Sequence, residues 1–334
     1  MNRRLVSVVF ALALLAPAVH AKSTTTATEG KRLASPRGGW WTLDRLKEPG
    51  KAELAVSSRS VQGKGWSHRS HDIALSDLDG FDAAAFGRDD AEVGFHAVLD
   101  AGTFEHRGRT TSPGHAEGRW TLELSDTYPD ELLKRGYERP TEDQQYEMAW
   151  ANVQLEFLDE MKRQGYPRTD VDELIRAGHH GVHLGYLKGM AGRGHRAASL
   201  AALVKLRDHG VDPGYIEELE AHGYRALDTE QLLRMRDHGV DADYIAGMAE
   251  EGHKNLDPDA LVELRDHGVT PDYVGRLAKA GYDGLSTAEL RRARDHGVDA
   301  AFIRKANAHA RRKLSLDEIV RWRDRGLPTG SSRN

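Results

Sequence analysis

The pentapeptide RDHGV stands at residues 207–211, 236–240, 265–269 and 294–298, each copy 29 residues after the one before. The same step, read outward, collects Tyr128, Phe157, Tyr186, Tyr215, Tyr244, Tyr273 and Phe302 into one aromatic column. Two glycine columns accompany it, one from Gly136 to Gly281 and one from Gly181 to Gly326. A further column reads Thr141, Asp170, Ser199, Asp228, Asp257, Ser286 and Ser315. Self-similarity at such a period marks an array of stacked units.

Each column has a mechanical meaning. Asp228 and its equivalents are N-caps, whose side-chain oxygens accept from the free amides of a first helical turn. Three residues on lie Gln144, Glu173, Gln231, Glu289 and Glu318, the residue types that complete capping boxes. Leu227, Leu256, Leu285 and Leu314 precede the caps, where a hydrophobic staple sits. A second cap column (Asp212, Asp241, Thr270, Asp299) opens another helix, with Pro213 and Pro271 at its first position. Each repeat is therefore predicted to hold two helices of roughly ten residues, each closed by a glycine. Isolated helices that short are marginal in water, where about 12–15 residues is the usual minimum, so they must stack. The fold expected for residues 127–327 is an α-solenoid of about seven helical hairpins. Leucine-rich repeats also reach about 29 residues, but their L-x-x-L-x-L-x-x-N pattern is missing.

Upstream the period is two. Val93, Phe95, Ala97 and Leu99 fall on one face, as do Trp120, Leu122 and Leu124, which argues half-buried strands. Asp100-Ala101-Gly102 and Ser112-Pro113-Gly114 supply the turn chemistry of hairpins. A small antiparallel β domain is expected over 39–126, giving a mixed fold. Residues 1–21 (MNRRLVSVVFALALLAPAVHA) combine a basic start, an apolar run and a small-residue cleavage site, the pattern of a secretory signal peptide. Residues 22–38 are a polar leader and 328–334 a polar tail, both expected to be disordered. The reading is therefore of a periplasmic or secreted protein with no transmembrane segment. With no cysteine in the chain, disulfides and thiolate chemistry are excluded. Loss of Arg3 and Arg4 with the signal moves the formal charge from −5 to −7, no signature of nucleic-acid binding.

Within RDHGV, glycine and valine read as helix stops, because Leu206 and Val211 occupy the two positions that touch in a Schellman closure. His209, His238, His267 and His296 then fall at the C-cap, where a cation is favoured by about 0.3–1 kcal/mol. Asp208, Asp237, Asp266, Asp295 and Asp324 lie in the last turn, where the dipole disfavours an acid. The structural explanation is pairing with Arg207, Arg236, Arg265, Arg294 or Arg323 of a neighbouring repeat. The functional one is an Arg/Asp/His stripe along one rim that contacts a protein partner. A metal ladder fits poorly, since stacked helices stand about 8–10 Å apart and zinc takes imidazole at about 2.0–2.1 Å. Gly181 separates His179 and His180 from His183, so they are not a helical pair. No metal and no cofactor are implied.

Charge is uneven along the array. Residues 212–260 carry 13 acidic and 4 basic side chains, whereas 286–334 carry 6 and 12. Arg311, Arg312 and Lys313 form a basic end, read as a solvated cap or as a contact to an anionic envelope surface. There is no HExxH, GxSxG, SxxK or P-loop. Gly192 to Ala197 imitates GxGxxA but follows a helix, and Asp77 to Asp82 lacks the spacing of a calcium loop. The chain reads as a non-enzyme, with a hydrolase a distant alternative.

The motif LRDHGV(D/T)xxY(I/V)xxLxxxGYxxLSxxEL, with GTFEHRG and GRWTLEL before it, resembles the extracytoplasmic tails of β-lactam-sensor, antirepressor-type membrane metallopeptidases. It is similar too to stand-alone exported proteins carrying the same repeats. The resemblance covers roughly 93–327 and implies an envelope-located sensing or interaction module. The HExxH helix of those peptidases has no counterpart here, so no proteolytic residue carries over.

Overall fold

A computed structural model describes residues 38–59 and 66–328. The expected signal segment, the leader up to residue 37 and the tail from residue 329 lie outside the described residues. Six strands form one antiparallel sheet: β1 (Gly38–Arg45), β2 (Lys51–Arg59), β3 (Trp66–Ala74), β4 (Glu92–Leu99), β5 (Gly102–Ser112) and β6 (His115–Leu124). Their order is β3-β2-β1-β6-β5-β4, with both expected hairpins present. Alternation places Trp41, Leu43, Leu54, Phe95, Phe104 and Trp120 on the buried face. Gly108 and Gly118 face each other across β5 and β6, and a Cβ on either would sit 2.1 Å from a carbonyl oxygen of the partner strand. Only glycine allows that approach. The acidic stretch 77–82 is a turn: Asp79 bridges to His96 of β4, and Asp82 caps the short helix α1 (Ala83–Phe86).

Fourteen helices follow in tandem among the described residues, confirming the solenoid. They are α2 (Tyr128–Lys134), α3 (Glu142–Trp150), α4 (Leu155–Arg163), α5 (Val171–His179), α6 (Leu184–Gly192), α7 (Leu200–Asp208) and α8 (Pro213–Ala221). The rest are α9 (Thr229–Asp237), α10 (Ala242–Glu250), α11 (Pro258–Asp266), α12 (Pro271–Lys279), α13 (Thr287–Asp295), α14 (Ala300–Ala310) and α15 (Leu316–Arg325). No described helix is long and apolar enough to cross a membrane.

By internal contact the described residues divide into two compact units, one running to Gly189 with Ala197–Arg207, the other formed by Met190–Arg196 and the chain from Asp208. In the first, the sheet is welded to the start of the array. Trp150 of α3 meets Phe104 at 4.8 Å and Trp120 at 5.2 Å between ring centres. Buried Gln145 donates to the Ala101 and Ser125 carbonyls, and the Asp100 carboxylate accepts from the amide of Leu155 at the start of α4. In the second unit first helices stack on first helices (α9, α11, α13, α15) and second on second (α10, α12, α14).

The caps fall where expected. Thr141, Asp170, Asp212, Asp228, Asp241, Asp257, Thr270, Ser286, Asp299 and Ser315 each accept from an amide in the first turn. Reciprocal boxes form at Thr141, Asp228, Ser286 and Ser315. Asp170 has none, because Glu173 turns to the Thr169 hydroxyl instead. Schellman closures are seen where Val240 donates to Met235 at 2.9 Å, Val269 to Leu264 at 2.9 Å and Val298 to Ala293 at 2.8 Å.

Three helix ends depart from the glycine rule. Asn152 takes the left-handed position after α3. In the last hairpin α14 runs on through Ala310, and Arg311 adopts it with φ 57°. Gly326 has φ 85° but an extended ψ of 162°, so the last helix ends without a Schellman closure.

The aromatic column is buried except at Phe302, which is half-buried. Its hydroxyls join each repeat to the next: Tyr215 donates to the Val240 carbonyl at 2.8 Å, Tyr244 to Val269 at 2.9 Å and Tyr273 to Val298 at 2.9 Å. A second tyrosine column does the same further along, from Tyr224 to Leu256 and from Tyr282 to Leu314, both at 2.6 Å. Tyr244→Phe leaves a buried carbonyl without its donor, and urea unfolding should show a loss of about 1–2 kcal/mol. Burial also pushes the Tyr244 and Tyr273 hydroxyls up to about 12. Unfolded tyrosine ionises near 10. The stability these groups add is thus whole below about pH 10 and is lost as pH rises through 12. The urea midpoint should fall across that window, less steeply in Tyr244→Phe.

Candidate functional site

Every letter of RDHGV is spoken for inside the array. His209 Nδ1 lies 2.6 Å from Asp237, His238 2.5 Å from Asp266, His267 2.6 Å from Asp295 and His296 2.8 Å from Asp324. Each histidine thus reaches the aspartate of the following copy. His238, His267 and His296 are the C-cap residues of α9, α11 and α13, as expected, and from there they point along the stack.

Among the described residues the expected aspartate–arginine pairing does not form at Asp237, Asp266 and Asp295, each of which pairs with a histidine instead. The guanidinium carbon of Arg207 lies 5.6 Å from the centre of the Tyr186 ring, Arg236 4.7 Å from Tyr215, Arg265 4.9 Å from Tyr244 and Arg294 5.1 Å from Tyr273. A planar guanidinium on a ring face is a favourable cation–π contact. Glycine makes room for it. A Cβ at Gly210 would meet Arg236 Nε at 3.2 Å, and one at Gly268 would meet Arg294 Nε at 3.4 Å. Gly210 and its equivalents therefore serve both a left-handed turn and the passage of an arginine from the next copy. Valine closes the helix and accepts the tyrosine hydroxyl. The pentapeptide is a joint between repeats.

The ladder is only part of the surface. The imidazoles and carboxylates keep exposures between 37% and 45%, the range in which ion pairs contribute roughly 0.2–1 kcal/mol. Asp208 ends α7, and Asp295 and Arg294 close α13. The basic end is partly consumed: Arg312 holds Glu318 through two contacts of 2.6 and 3.1 Å, and Lys313 Nζ lies 5.2 Å from the Tyr282 ring centre. That bond and the Ser315 amide hold the Glu318 carboxyl down to about 2. Arg311 remains exposed at its left-handed corner.

Sequence reasoning missed the clefts between successive first helices. One, of about 430 Å³, lies between α3 and α5 and is lined by Asp143, Glu147, Asp172, Ile175, Arg176 and His179 among others. His179 occupies the ladder's aspartate column and pairs with Glu147 at 3.2 Å. Here Gly178 replaces the column arginine, and a Cβ on it would sit 2.2 Å from the Ala151 carbonyl oxygen, so the helix ends come unusually close. That substitution was the available signal. A second cleft of about 380 Å³ lies between α9 and α11, edged by Arg234, Asp259, Glu263, Asp266 and His267. Buried His183, pushed down to about 4 by desolvation, lies beyond the end of α5. Among the described residues no cluster of three or more histidine or carboxylate side chains is arranged to hold a metal ion.

No protein-family model, curated protein or solved structure matches the chain.

A double-mutant cycle on His238→Ala and Asp266→Asn should return a coupling of about 0.2–1 kcal/mol in urea unfolding. Zero coupling would show that the two side chains do not act together.

Proposed function

We propose that this chain is an exported, non-enzymatic interaction protein that binds another protein along the exposed side of its first helices. The observation behind this reading is a contrast within the repeats. RDHGV stays constant because it builds the joints, while the second and sixth positions of the same helices vary in charge. They read Asp143 and Glu147, Asp172 and Arg176, Ala201 and Lys205, Glu230 and Arg234, Asp259 and Glu263, Ala288 and Arg292, Asp317 and Arg321. A constant frame carrying a variable row of exposed charges suits recognition of one partner by its charge pattern. Bridges between these rows, such as Arg234 to Asp259 at 2.5 Å and Arg292 to Asp317 at 2.6 Å, are exposed and readily exchanged for a partner's groups. Asp266 and His267 of the stripe form one edge of the α9–α11 cleft and join the same surface.

The alternative, an envelope sensor acting with a membrane metallopeptidase, rests on the resemblance of the repeats. Affinity capture from envelope extracts tests both. Charge reversal at Arg234 and Glu263 should remove the captured partner while the thermal midpoint moves by only a few degrees. Recovery of a membrane peptidase would favour the alternative. Turnover of a hydrolase substrate by the purified protein would contradict the non-enzymatic reading.

A further inference from the structure

The buried face of the sheet has an unusual charge composition. Alternation sends the strand carboxylates, from Asp44 and Glu53 to Glu117 and Glu123, to the opposite face. The inner face carries aromatic and aliphatic side chains together with Thr110, Arg69, His71, His106 and, at its margin, Arg45. Register fixes this: Arg69 pairs with Val56 and His71 with Leu54 on β3, while His106 pairs with Phe95 and Trp120 on β5. An inner face holding cations and imidazoles but no acid is arranged for a negative group from outside the chain.

Three unmet demands lie on that face. Arg69 is half-buried with its guanidinium carbon 5.2 Å from the centre of the Trp150 ring, and no carboxylate of the described residues pairs with it. Burial lowers its pKa, and the one carboxylate that opposes this, Glu147, is already bonded to His179. His71, two residues along the same face and so about 7 Å away, has a buried Nε2 with no hydrogen-bond partner. His106 is fully buried, stacked on Phe95 at 4.2 Å between ring centres, and its Nδ1 is also without a partner. A half-buried guanidinium with no carboxylate bonded to it is costly, and so is an orphaned buried nitrogen. β3 is an edge strand, so the exposed part of Arg69 is open to solvent.

We propose that Arg69, His71 and Trp150 form a binding site for a small molecule with a carboxylate on an apolar, ring-sized body. The Arg69 fork takes the two carboxylate oxygens side by side, the geometry guanidinium favours. Binding lifts Arg69 from the Trp150 ring, whose face then takes the apolar body, and opens the covered His71 Nε2 to donate to one of the oxygens. This site is separate from the helical surface assigned above, and it stands or falls independently of it.

The test uses the full-length exported protein and ligand-observed NMR with two matched pairs of probes, benzoate with benzamide and octanoate with octanamide. At least one carboxylate should bind saturably, at least tenfold tighter than its amide. Arg69→Gln should weaken that carboxylate at least tenfold, Arg69→Lys should restore part of the loss, and His71→Phe should weaken it severalfold, with thermal melts confirming folding. An amide binding as well as its acid would overturn the site. So would unchanged affinity in a folded Arg69→Gln, or the absence of saturable binding by either acid. Should the variants fail to fold, the acid-to-amide ratio of the unaltered protein decides alone.

Discussion

Helices of nine residues cannot stand by themselves in water, and almost every helix of this array has that length. Whatever holds the protein together therefore lies between repeats. The joints meet this need with three different contacts at one place: a tyrosine hydroxyl on a backbone carbonyl, a guanidinium on the same tyrosine's ring, and an imidazole on a carboxylate. The first two cooperate, since the ring that donates to Val240 also carries Arg236 on its face. One aromatic side chain thereby fixes the end of the next first helix and the arginine that precedes it. Phenylalanine at 302 keeps the ring contact, with Arg323 5.0 Å from its centre, and gives up the hydrogen bond.

This arrangement separates the joints from the open side of the first helices. Residues that build the joint are locked by partners in the adjoining copy, so they change little from repeat to repeat. Side chains on the open side of the first helices make exposed ion pairs, such as Arg234 with Asp259 and Arg292 with Asp317, and differ in charge from copy to copy. In the first two copies the joint itself has changed: Trp150 and His179 stand where aspartate is usual, and Ala149 and Gly178 where arginine is usual. Trp150 is spent on the sheet and His179 on Glu147. The largest of the clefts described lies between those two copies.

The sequence announced the array because its signals are local. An N-cap and its third amide, or a closing glycine and the residue after it, are neighbours along the chain, so composition and spacing reveal them. Partner choice across the stack was hidden. Aspartate, arginine and histidine occupy consecutive positions at the end of each first helix, and which one meets which depends on helix rotation. A reading by charge alone paired aspartate with arginine, whereas the ring nearby claimed the arginine and left the histidine to the acid. The bonds from Gln145 and Asp100 that tie sheet to helices were likewise silent, because they span 20 to 55 residues and follow no period. Arg69 and His71 fall outside the runs in which alternation was read, and only the strand register shows that they share the acid-free face.

The central claim is that each copy borrows its stability from its neighbours. Circular dichroism of the single copy 228–256, set beside the three-copy fragment 228–314, tests it directly. The account predicts little helix in the single copy and a cooperative, urea-sensitive helical signal in three copies. Equal helicity per residue in both would contradict it.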